Sequence, residues 1–173
     1  MISMEFRAMY PYAPDFEKQL TSLRVKVLAR YHDLFNNIKD EFLRALFIIR
    51  QKCPSPGTKR ARDANLSKVN LLNGIIEWIT PEDAFPTKSD FPVLYVKGES
   101  NEEQSSAALV WKENIIPLEP NMQHCFRILC ESLLVFNTFC HPVNKQFFIF
   151  MCYALLGVGN LTTTGERLMQ NIQ

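Results

Sequence analysis

Between Leu20 and Ile49 apolar residues recur at Leu20, Leu23, Val27, Tyr31, Leu34, Ile38, Phe42, Ala45 and Ile49, in steps of three and four. Those steps average close to the helical period, so one face of a helix stays in phase across the segment. Asp15 stands where an N-cap belongs, and Pro54, Pro56 and Gly57 close the run. One long helix and two helices joined near Asn36 and Asn37 both fit, and the unbroken phase favours one. Ahead of it, Pro11 and Pro14 among aromatic residues and Met predict an irregular arm over residues 1–14.

Downstream the pattern changes. "VNLLNGIIEWITPEDAF" places Val69, Leu71, Leu72, Ile75, Ile76 and Ile79 at spacings that suit a short amphipathic helix ending before Pro81. "FPVLYVKG" is short, β-branched and aromatic, and ends in Gly98, which predicts a strand. "AALVWKENIIPLE" supplies a second strand from Ala107 to Leu118 beyond the polar turn "ESNEEQSS". The pair predicts a central antiparallel β-hairpin with open edges, which needs helices to cover it. Asn121 then caps "MQHCFRILCESLLVFNTF", "CHP" makes a corner, and "NKQFFIFMCYALLGV" forms a second apolar helix, with Gly157 as its C-cap. A last short helix fits the tail "GNLTTTGERLMQNIQ".

The fold class that follows is α+β, mostly helical. It has a long N-terminal amphipathic helix, a central hairpin and two apolar C-terminal helices within a single domain of 173 residues. The longest apolar run, Phe147 to Val158, has 12 residues, well short of the roughly 20 that span a bilayer, so no membrane partner is expected. The N-terminus has no signal-peptide core. Five cysteines, an odd number at irregular spacing, do not read as a disulfide framework and point to an intracellular setting, nuclear or cytoplasmic.

The formal net charge of +1 conceals an asymmetry: residues 1–70 hold thirteen Lys/Arg against seven Asp/Glu, and residues 71–173 hold six against eleven. Opposite halves favour docking of one half on the other, head-to-tail association with a second copy, or a basic face for an acidic partner. The loop over residues 53–67 carries Lys59, Arg60 and Arg62 in a Pro/Gly/Ser context that belongs on the surface. As a linker it is solvated chain. As a site it is a localisation patch or a phosphate contact, joined by Arg24, Lys26 and Arg30 of the basic helix. Clustered cations without interleaved aromatic side chains are a weak nucleic-acid signature.

Catalytic motifs are absent. There is no G-x-S-x-G elbow, Gly-rich phosphate loop or H-E-x-x-H, and "GVGN" follows a helix where a dinucleotide fingerprint follows a strand. His124, Cys125, Cys130, Cys140 and His141 lack the close ligand pairs of a structural zinc site. No enzyme activity, metal or cofactor is expected.

"FPVLYVKGE", a strand ending in "NIIPLE", a helix closing with "LLVFNTFCHP" and the aromatic helix "NKQFFIFMCYALLGV" follow one another between Phe91 and Val158. In that order they resemble a region near the C-terminus of a set of mostly uncharacterised animal proteins, some of which carry a sterile alpha motif upstream. The chain departs from the set in "FCHP" at the corner and in having no sterile alpha motif. The resemblance implies an α+β module with no catalytic residues to carry over, in proteins whose architecture suggests interaction.

Three function classes remain. The first is protein interaction or self-association, through the basic first helix or the hairpin edges. The second is nucleic-acid binding through the six cations. The third is a viral or transposon-derived assembly protein.

Overall fold

The structure, a computed structural model, describes residues 1–54, 71–98 and 104–173. The cations Lys59, Arg60 and Arg62 of the basic loop lie outside the described residues. The fold is α+β, and its helices and a four-stranded mixed sheet divide between two compact units. One comprises Met1–Pro11 and Leu72–His141, the other Tyr12–Leu71 and Pro142–Gln173.

The first unit is three-layered. Its sheet runs in the order β1 (Ile76–Ile79), β2 (Ser89–Lys97), β3 (Ser106–Lys112), β4 (Asn114–Leu118). β2, β3 and β4 are antiparallel neighbours, and β1 lies parallel to β2 with Ile76 opposite Leu94. A helix over Met122–Val135 (α4 in chain order) packs on β2 and β3, and the short helix α1 (Ile2–Met9) packs on α4 through its buried Ile2 and Phe6. The second unit is helical: α2 (Phe16–Arg30) packs on α3 (Glu41–Lys52) and on α5 (Lys145–Leu156), and α6 (Thr163–Asn171) packs on α5.

Four sequence expectations change. Residues 1–14 are not an irregular arm throughout, because the eight residues before Tyr10 contain no Pro and place Ile2 and Phe6 one helical turn apart on a buried face. The long helix is two helices. Asp40 accepts a hydrogen bond from Leu43 N at 2.9 Å and so starts α3, while Phe35 takes φ +53° between the two. Arg44 stitches the connection by donating to His32 O, Leu34 O and Asn36 Oδ1 at 2.6 to 2.9 Å.

"GIIEWI" is strand β1 rather than helix. Gly74 turns the chain at φ +75° and its N–H is held by the Glu77 carboxylate at 2.8 Å, after which the β-branched and aromatic side chains favour pairing. The second hairpin strand is in fact two strands, β3 and β4, joined by a tight turn in which Lys112 adopts φ +52°. Tight hairpins demand a positive φ and usually recruit Gly or Asn for it, so the Lys hides the turn from sequence reading.

As a result the hairpin has no open edges of its own, because β1 and β4 flank it. Among the described residues the sheet ends instead in a four-residue strand on one side and a strand bearing Pro117 on the other. Short and proline-bearing edges both resist strand addition. The caps at Asp15, Asn121 and Gly157 fall where the sequence places them: Asp15 accepts from Lys18 N, Asn121 accepts from His124 N, and Gly157 sits at φ +67°.

Candidate interaction surface

One end of the first unit's sheet carries an aromatic rim. Ser89 pairs with Lys112 and Trp111 with Asn114, so the start of β2, the end of β3 and the start of β4 lie together. Phe136, the C-cap of α4, stacks on Trp111 with ring centroids 4.5 Å apart and planes 13° from parallel. His141 meets Phe91 edge-on at 5.5 Å. The Lys112 ammonium stands 4.7 Å from the Trp111 ring centre. The segment 136–141 is thus tied to the sheet at both of its ends, and Phe139 between them is 81% exposed.

The geometry of that segment follows from how α4 stops. Asn137 takes the left-handed conformation at φ +45°, its N–H bonds to Leu134 O at 3.2 Å, and Thr138 N bonds to Leu133 O at 3.1 Å. This pair of bonds is a Schellman motif with Asn in the position that glycine usually fills. A large apolar side chain on a loop fixed in this way differs from one on a frayed terminus, because little conformational entropy remains to be lost when it is covered. Trp111 Nε1 is buried and has no hydrogen-bond partner among the described residues. Ile115, 41% exposed on β4, follows Asn114 and so faces the other side of the sheet, outside this rim.

The sequence-predicted cations distribute differently. Lys26 and Arg30 are exposed one helical turn apart on α2, and Lys18 and Ser22 continue their row. Arg24 is half-buried, its Nε has no partner among the described residues, and at 100° per residue it lies on another side of α2 from Lys26. The exposed face of α2 forms a shallow depression lined by Glu17, Lys18, Thr21, Ser22, Val25 and Lys26. Counted by unit, the first holds five Lys/Arg against eleven Asp/Glu, and the second fourteen against seven.

Thiol chemistry is muted. Burial pushes the Cys53 thiol up to about 12 against a partial offset from Arg50, and the Cys125 thiol up to about 11. Neither is a thiolate near neutral pH, so each packs as a small hydrophobe. Among the described residues no three His, Cys, Asp or Glu side chains gather where a metal ion could be held. Among the same residues no helix is long and apolar enough to cross a membrane.

The rim was only partly visible beforehand. Phe91 and Trp111 fall in separate strand segments and Phe136 near the close of a helix, and nothing in their spacing links them. The one available signal was a phenylalanine inside the corner "FNTFCHP", where a buried side chain has no regular element to sit on. Comparison of the chain with protein-family models, with curated proteins and with solved structures finds no match.

Proposed function

We propose that this chain is a non-enzymatic protein-interaction or self-association module whose contact surface is the aromatic rim, with Phe139 as its anchor. The observation that carries the reading is Phe139, 81% exposed on a segment held at both ends. Contact energy at protein interfaces concentrates in a few aromatic and Arg anchors, and a rigid aromatic loses little freedom when it is buried. Five cysteines, an odd number at irregular spacing, support an intracellular, nuclear or cytoplasmic setting.

Light scattering after size-exclusion chromatography, at low and high salt and with added mixed nucleic acid, tests it. A complex that persists at high salt and is lost in Phe139→Asp supports the rim. A complex indifferent to Phe139→Asp rejects it.

Nucleic-acid binding is the second reading, favoured by the excess of fourteen cations over seven carboxylates in the helical unit. It predicts a monomer that shifts with nucleic acid only at low salt, and less so when Lys26 and Arg30 are neutralised. The third class, a viral or transposon-derived assembly protein, predicts ordered arrays that grow with concentration.

A further inference from the structure

Helix α1 belongs by its packing to one unit and by its chain connection to the other. Its buried Ile2 and Phe6 lie on α4 within the first unit, while the residue after Pro11 already belongs to the second. Its seat is specific. Ser3 Oγ donates to Glu131 Oε2, a carboxylate with no exposed surface, whose Oε1 accepts from Arg127 Nε at 2.8 Å. A buried carboxylate held by one donor from α1 and one from α4 fixes where α1 sits along α4, because sliding by one residue would strand a charge.

The tether is short and stiff. Tyr10 ends α1 stacked on Phe6 with centroids 5.0 Å apart, and Pro14 is fixed where a Cβ on Gly157 would meet its Cδ at 3.1 Å. Between them Pro11, Tyr12 and Ala13 span at most about 11 Å. Two prolines push the preceding residues Tyr10 and Ala13 toward extended backbone, and Tyr12 is 97% exposed, so no side-chain packing rewards a folded-back hinge there. A short hinge stiffened by two prolines is the kind of connection across which identical chains exchange a tethered element.

We infer that α1 is an exchangeable arm: in a dimer of this chain, residues 2–9 of each copy occupy the α4 seat of the other. The partner is a second copy, because the seat that receives the arm is already complete in every chain. Ile2, Phe6 and Ser3 find the same Glu131 and Arg127 surroundings, so the exchanged contact needs no new interface. The inference is independent of the aromatic rim.

The test compares the full chain with a variant lengthened by about six Gly/Ser residues after Pro11, each unfolded and refolded at high and low concentration and sized by light scattering. Exchange predicts a dimer formed on refolding at high concentration, reduced on the order of tenfold in the lengthened variant, where closing within one chain regains its advantage. A second measurement refolds together two spin-labelled chains in a Cys140→Ser background, one carrying Met4→Cys and the other His124→Cys. Labels in the mixed dimer lying within about 20 Å, the length of α4, support exchange. A dimer whose amount ignores tether length, labels that stay far apart, or a strict monomer after concentrated refolding overturns it. Phe139→Asp run in parallel separates the two ideas: a dimer sensitive to the tether but not to Phe139→Asp retains exchange and rejects the rim, and the converse retains the rim alone.

Discussion

Phe139→Ala separates an interaction anchor from a packing residue by magnitude. Fully burying a Phe side chain is worth about 1.5–3 kcal/mol. With 81% of Phe139 exposed, the folded chain gains only about a fifth of that, roughly 0.3–0.6 kcal/mol. For a chain of 173 residues such a loss lowers Tm by about 1–2 °C. An interface anchor costs at least about 2 kcal/mol when truncated, which is roughly thirtyfold in Kd. Calorimetry on the variant reports the first quantity, and dissociation of the complex in sedimentation or light-scattering titrations reports the second. The expected result is a near-normal Tm with association weakened by at least an order of magnitude. A fall in Tm of more than about 5 °C means that Phe139 supports the fold, and unchanged association means that the rim is not the contact. Either result refutes the argument from exposure.

Three further outcomes follow from the packing. Gly157→Ala is expected to cost about 1–3 kcal/mol in urea unfolding, since a side chain at φ +67° is strained and its Cβ would press Pro14 Cδ at 3.1 Å. Arg127→Met is expected to destabilise by about 2–4 kcal/mol, discounted for the 19% exposure of the Arg side chain, because it leaves the Glu131 carboxylate buried with one donor fewer. Arg127→Met combined with Glu131→Leu should recover most of that loss, and a single variant as stable as the double rejects a buried charge as the cause. Cys53 and Cys125 should resist maleimide at neutral pH in the folded chain. Their folded values near 12 and 11 exceed the ordinary value of 9, so the stability they contribute is full below about pH 9 and drains as pH rises toward 11 and 12. Unfolding free energies that stay flat between pH 9 and 11 would contradict those shifts.

What the sequence disclosed was whatever depends on local chemistry. Asp15, Asn121 and Gly157 announce helix ends through their own side chains or lack of one, and each does that task. "FPVLYVKG" is a strand whatever it pairs with. Misreadings arose where a second layer of information decides. The phase from Leu20 to Ile49 survives a break of ten residues, because residues 31–40 turn and still return Ile38 to the buried side, so periodicity alone cannot see that the helix has stopped. β1 is a strand because β2 lies beside it, and "GIIEWIT" meets the helical spacing equally well in isolation. The Lys112 turn lacks the Gly or Asn that would betray it, and its positive φ is tolerated while the ammonium rests over Trp111. The rim was hidden for a related reason: residues 91, 111, 136 and 141 become neighbours only when β2, β3 and the end of α4 have met.

The pairing of Ser3 with Glu131 also sets a timetable. The two residues are 128 positions apart, and synthesis at about 5–20 residues per second places roughly 6–26 seconds between their appearances. Through that interval residues 2–9 have no seat, and eight residues are too few to hold a helix alone, so Ile2 and Phe6 are exposed as well as Met1, Met4 and Met9. The sixty residues from Tyr12 to Leu71 emerge meanwhile and belong to the other unit. If the arm exchanges as inferred, a crowded polysome is where residues 2–9 first meet an α4 that is not their own.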